Sequence, residues 1–336
     1  MTAPTPDAEA TAASIVSALD LEHIDRDVYR SKELWKPGGG RGVFGGQIIA
    51  QAAWAATQSV RRDEPETEKG LHSLHCYFLN FGNADIPVLY TVQRLRDGRS
   101  YSTRSVLASQ QGTPIFTLTC SFCLPEPRQP VRALPVPRWP LQWSRAGEDA
   151  TKQDGQGEKI PEPEECEPTE DVLIKALAKA KNLPQKLQEY VERQAEERRQ
   201  SSIEIRNTDK SDIGLFGHHS NTSQQQLYWF RSRAPVQADP DFQKCVLAYA
   251  SDLNFIATAA RASGLGSSTK PRLGMLASLD HSMYFYTSVD AHDWNLFYMN
   301  SPVGSNGRGL VHGRIYKRDG TLAVVCTQEG VVRAAL

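Results

Sequence analysis

The chain of 336 residues carries no excess charge of either sign: its formal net charge is -1. A protein that binds nucleic acid through phosphates shows a basic field, and none is present here. No run of about 18 apolar residues occurs, so no membrane span is expected. The N-terminus, Met1 to Ala13, is rich in Ala, Thr and Pro and lacks a basic segment followed by an apolar one. It reads as a flexible tail over residues 1–19 rather than a secretory signal. The nucleophile-elbow pattern GxSxG is missing, which argues against an α/β-hydrolase. What remains, 40% hydrophobic and 23% charged residues, is ordinary globular composition.

Cysteines are few and scattered. Cys120 and Cys123 have CxxC spacing, but no second such pair and no helix start follows, as zinc or redox chemistry would require. Pro114 to Leu124 alternates instead, with Phe116, Leu118, Cys120, Phe122 and Leu124 on one side, so a strand with a buried Cys120 is expected. Free buried thiols imply a reducing compartment. Gly40 to Gly45 matches GxGxxG, yet Lys36-Pro37-Gly38-Gly39 precedes it where a dinucleotide site needs an apolar strand. A loop leading into a helix fits better. No cofactor and no metal are expected.

The chain repeats itself once. Gly45-Gly46-Gln47 opens a helix with Ile48, Ile49, Ala52, Ala53, Ala56 and Val60 on one face, and Asp252-Leu253-Asn254 is expected to open a second, ended by Gly264. Leu74 to Phe78 and Asp280 to Phe285 follow as strands. Gln111-Gly112-Thr113 and Asp319-Gly320-Thr321 then mark hairpin turns. The spacing from His75 to His281 is 206 and that from Gly112 to Gly320 is 208. An ordered series at near-constant spacing points to internal duplication. Each half becomes a sheet curled around a helix, an α+β arrangement. The expected boundaries are 20–125 for the first half and 201–336 for the second. Residues 126–200 read as a Pro- and Glu-rich linker with a charged surface helix or two, interrupted at Pro184.

Three polar residues of the second half stand in apolar surroundings: Asp252, Ser278 and Gln328. The spacing places them opposite Gly46, His72 and Cys120, so the first half lacks the set and one site per chain is expected. A carboxylate, a hydroxyl and an amide can hold and activate one water without metal or covalent intermediate. Each residue also has a plainer reading. Asp252 could cap a helix and Ser278 could be an ordinary strand serine. Gln328 shares strand parity with Leu322, Val324 and Cys326, and an inward amide must find partners. From spacing alone both readings stand. Asp280 and His281 are adjacent on a strand and point to opposite faces, so they do not form an acid–base pair. The match of His75 to His281 assigns both a structural role. Arg308, Arg314, Lys317 and Lys270 could meet phosphates, but solvated surface charge accounts for them.

Val43-Phe44-Gly45-Gly46-Gln47, Leu71 to Phe78 and Leu95 to Ser100 in the first half, with Tyr249 to Phe255, Asp280 to Met283 and Gln328 to Val331 in the second, resemble the type II acyl-CoA thioesterases. That group contains bacterial thioesterase II and eukaryotic peroxisomal relatives. The resemblance implies a double hotdog fold, hydrolysis of fatty acyl-CoA to fatty acid and CoA, and catalytic roles for Asp252, Ser278 and Gln328. Bacterial members have Thr where this chain has Ser278; the hydroxyl is kept. It further implies an acyl-CoA substrate, no nucleic acid, no membrane span and a homo-oligomer. Two other functions compete: a hotdog hydratase or dehydratase, for which no Asp/His motif is seen, and a non-catalytic acyl-CoA-binding protein. Peroxisome or cytoplasm is the expected compartment, the peroxisomal address being weakened by a chain that ends Arg333-Ala334-Ala335-Leu336.

Overall fold

In the computed structural model, residues 15–137, 159–179, 183–208, 224–266 and 269–335 are described. The N-terminal stretch before residue 15, linker residues 138–158 and the terminal Leu336 lie outside them, so the tail and terminal-tripeptide expectations fall there in whole or part. Residues 15–19 form a helical turn, α1, whose Ile15 and Leu19 are fully buried. An i,i+4 apolar pair docks this turn, so the chain enters the core before residue 20.

The first half then runs β1 (Leu21–Asp25), β2 (Val28–Ser31), α2 (Gly45–Asp63), β3 (Gly70–Phe78), β4 (Leu89–Asp97), β5 (Tyr101–Gln110) and β6 (Thr113–Cys123). Two linker helices follow, α3 (Thr169–Lys179) and α4 (Gln185–Gln200), with Pro184 at the N-cap of α4. They pack on one another through Leu173, Ala176, Val191 and Ala195. The second half comprises β7 (Ile203–Asn207), β8 (Gln225–Ser232), α5 (Pro240–Ser251), α6 (Ala257–Ala262), β9 (Leu273–Ser278), β10 (Asp280–Phe285), β11 (Asn295–Ser305), β12 (Arg308–Lys317) and β13 (Leu322–Ala334).

One antiparallel sheet joins everything. Its order is β1-β2-β4-β5-β6-β3-β10-β13-β12-β11-β8-β7, with β9 paired to β13. The two halves therefore meet edge to edge at β3 and β10, and read outward from that seam in the same sequence of elements. This is a double hotdog. The alanines of α2 (Ala50, Ala52, Ala53, Ala55 and Ala56) are all at 0% exposure, which lets the helix sit close to the sheet and to α5. The β5–β6 turn uses Gln111 and Gly112 at φ 48° and 77°, as a two-residue hairpin requires.

Two sequence expectations are corrected. The second-half helix does not open at Asp252. It opens at Pro240, where the Asp239 side chain accepts from the backbone N–H groups of Asp241 and Phe242 and proline takes the first helical position. Asp252 caps its C-terminal end, and the helix breaks before α6 because Asn254 adopts φ 60°. Gly264 does end α6, with Gly264 N–H on Arg261 O and Leu265 N–H on Ala260 O, a Schellman pair.

The second correction concerns register. Cys76 pairs with Leu118, and Met283 pairs with Cys326. Leu118 and Cys326 stand equally far beyond Gly112 and Gly320, so Cys76 corresponds to Met283 and His75 to Ser282. His75 is exposed, whereas His281 is fully buried. The matching histidine letters were one residue out of phase, and one residue turns a strand side chain to the other face. By the same register Ser278, paired with Gly330, corresponds to Leu71, paired with Phe122, rather than to His72.

Candidate active site

Asp252, Ser278 and Gln328 meet. Gln328 lies on β13 with its side chain inward, at 0% exposure. Its Nε2 donates to Asp252 Oδ1 at 2.7 Å and to Ser278 Oγ at 3.1 Å. The Ser278 hydroxyl and the Gly46 backbone N–H also lie near enough to the Asp252 carboxylate to favour its ionised form. Both Gln328 amide hydrogens are thus used, while its Oε1 is buried without a partner among the described residues. A buried carbonyl oxygen left over in such a cluster is an acceptor available to a substrate or a water.

Asp252 sits where two helix ends converge. It follows α5 at that helix's C-terminal end and faces the N-terminus of α2. Gly45 and Gly46 make this approach possible. A Cβ on Gly45 would stand 2.7 Å from Asp252 Oδ2, and one on Gly46 would collide with the Tyr249 carbonyl. Burial raises the Asp252 pKa to about 6, and Gln328, Gly46 and Ser278 restrain the rise. A carboxylate tuned this way is ionised at neutral pH yet basic enough to take a proton.

Asp252 and Ser278 open onto a cavity of about 560 Å³. Its walls come from both halves. The first supplies the glycine-rich loop from Pro37 to Gly45, with Phe78 and Phe116; the second supplies Leu273 to Leu279 and Val331. The GxGxxG stretch is therefore a pocket wall entering α2, with no strand before it. Sequence reasoning picked out these glycines but missed that they receive Asp252, since nothing local in the sequence signals a contact across the two halves.

The remaining candidates lie elsewhere. Asp280 accepts the Glu329 backbone N–H, and His281 Nε2 meets Ser251 Oγ at 3.1 Å, so the two side chains do not pair. Burial lowers the His281 pKa to about 3, keeping the ring neutral. Arg308 pairs with Glu329, Lys317 with Asp319, and Arg314 stacks on Tyr298. Neither these three nor Lys270 lines the cavity. Cys120 is buried and free, and its thiol pKa is pushed up by burial.

The family model for the acyl-CoA thioesterase C-terminal domain matches residues 163–332, and that for the N-terminal domain matches residues 32–123. The chain belongs to the type II acyl-CoA thioesterase family. It is 36% identical to the acyl-coenzyme A thioesterase 8 of Rattus norvegicus, over 95% of this chain and 89% of that protein. It is 33% identical to the acyl-CoA thioesterase 2 of Haemophilus influenzae, over 95% and 97%. Among solved structures, the acyl-CoA thioesterase II TesB2 from Mycobacterium marinum superposes with a TM-score of 0.66 at 28% identity, covering 96% of this chain and 99% of that one. The two family domains fall one on each half of the thioesterase sheet, and the three converging polar side chains all belong to the C-terminal one.

Proposed function

We propose that the chain hydrolyses acyl-CoA thioesters by direct attack of a water held by Asp252, Ser278 and Gln328. Family membership makes acyl-CoA the substrate and fatty acid and CoA the products. The observation that carries the residue assignment is the closed hydrogen-bonded set at the head of the cavity, with the Asp252 carboxylate at a raised pKa.

Asp252 takes a proton from the water as its oxygen bonds to the thioester carbonyl carbon. Ser278 and the free Oε1 of Gln328 orient that water. The carbonyl oxygen gains negative charge, which the positive end of the α2 dipole at Gly45 would stabilise. Collapse of the tetrahedral species breaks the carbon–sulfur bond. The CoA thiolate leaves with the proton held by Asp252, and the carboxylate is regenerated. No covalent enzyme intermediate and no cofactor enter this scheme. Self-association, and residence in the peroxisome or cytoplasm, are part of the same proposal.

The test is thiol release from acyl-CoAs of graded chain length, with Asp252→Asn alongside. Release by the parent chain that Asp252→Asn lowers by roughly 10²–10⁴-fold supports the assignment. Full activity in Asp252→Asn removes Asp252 from the mechanism. Binding of acyl-CoA without release by the parent chain favours a binding protein instead.

A further inference from the structure

The segment that carries Asp252 is held from an unexpected quarter. Between α5 and α6 the backbone passes through Asn254 at φ 60°. Glycine would meet that backbone requirement by itself. The carboxamide adds something else: its Oδ1 accepts from Arg198 Nη2 at 2.9 Å. Arg198 lies in the last turn of α4, which precedes β7 and falls within the matched C-terminal domain. Tyr228 OH donates to Leu253 O at 2.7 Å, so consecutive residues after Asp252 are anchored from outside the segment.

The Arg198 end of α4 is itself fixed. Arg233 donates from Nη2 to Arg198 O at 3.1 Å and to Glu170 Oε1 at 2.6 Å, and from Nε to Ser201 O at 2.9 Å. The neighbouring Glu197 carboxylate packs so closely on Gly38 that a Cβ there would collide with it. Gly38 stands beside Pro37, where the glycine-rich loop begins to wall the cavity. One turn of α4 thus touches both the segment bearing the base and the loop of the opposite wall. Arg198 is part-buried, with the Glu170 and Glu197 carboxylates acting on its charge, and the bond to Asn254 is the directed contact its guanidinium makes.

We propose that Arg198 is a positioning residue for the reaction, holding through Asn254 the turn that aims Asp252 into the cavity. This rests on the assignment of Asp252 as the base. Displacement of a catalytic group by about 1 Å is enough to slow chemistry by up to about a hundredfold while leaving binding intact.

The experiment is steady-state thiol release and thermal melting of Arg198→Met, Arg198→Lys, Asn254→Gly and the Arg198→Met/Asn254→Gly double variant, with Asp252→Asn as reference. Arg198→Met and Asn254→Gly are each expected to lower kcat by about tenfold or more with KM within about twofold. The double variant should be no worse than the poorer single, because both break one link. Arg198→Lys should recover part of kcat. If Arg198→Met does not fold, Asn254→Gly carries the test, since glycine accepts the same φ. Unchanged kcat in folded Asn254→Gly, or losses that multiply in the double variant, would overturn the positioning role. Activity in Asp252→Asn would instead sink the underlying assignment of the base; an inactive Asp252→Asn beside a fully active Asn254→Gly removes only Arg198.

Discussion

The two halves of the sheet share a strand order and differ in what they place at corresponding positions. Where the second half has Ser278 on a strand facing Gly330, the first has Leu71 facing Phe122. Where it has Gln328, the first has Cys120, buried to 1% exposure. The half without the polar set still shapes the site, through the α2 N-terminus and the glycine-rich wall. On the proposed mechanism the two halves divide the work: one supplies the reacting groups, and the other the α2 N-terminus, its close backbone approach and walls of the cavity.

Removing the reacting group should have the largest effect. Asp252→Asn is expected to lower turnover by roughly 10²–10⁴-fold and to stabilise the protein at pH 8. The sign follows from a folded-state pKa of about 6 against 3.8 for the free side chain. The folded state holds that proton more tightly, so this carboxyl's contribution to stability is fully present below about pH 4 and is lost as pH rises through about 6. At pH 8 the loss is on the order of 2–3 kcal/mol, which a neutral amide avoids. Melting temperatures of parent and variant at pH 5 and pH 8 check this; a variant less stable at pH 8 contradicts it. The same ionisation gives kcat/KM of the parent an acid limb with an apparent pKa about 6, and a flat profile from pH 5 to 8 would count against Asp252 as base.

The supporting half is probed by Gly46→Ala. The added methyl meets the Tyr249 carbonyl and the Phe44 ring, so the α2 N-terminus must shift away from Asp252. We expect kcat to drop by about 10–100-fold, with the fold retained on circular dichroism. Parent-like kcat would show that the first half is only scaffolding.

A converse change sharpens the contrast. Cys120→Gln puts the second half's amide at the matching first-half position, where Leu71 stands in place of the serine. The expected result is no new activity and destabilisation by about 1–3 kcal/mol, read from urea unfolding. The smallest effect belongs to His75→Ala. His75 is exposed and outside the cavity, so activity within about twofold and stability within about 0.5 kcal/mol of the parent are expected. A large loss would restore the equivalence with His281 that the register denies.

Much of this was legible in the chain. Strand β6 and its buried cysteine followed from alternation, the hairpin turns from Gln111-Gly112 and Asp319-Gly320, and the linker helices from charge and Pro184. The three polar side chains stand out against their apolar neighbours, and Gln328 points inward as its strand parity requires. Helix geometry around Asp252 was misread because Asp before an apolar run is the usual mark of a helix start, whereas Asp239-Pro240 was the true one. The histidine match failed because a letter match does not register a one-residue phase change between strands.

By itself, then, the sequence determined the local periodicities, the duplication and the kinds of side chain available, since these depend on neighbours within a few residues. Tertiary structure alone decided that Asp252 lies against the α2 N-terminus, that Gln328 bridges a carboxylate and a hydroxyl, and that Arg198 reaches Asn254. Those contacts join residues far apart in the chain. They exist only because strand register and helix packing bring the segments within hydrogen-bond range, and burial then sets the charge state of the carboxylate.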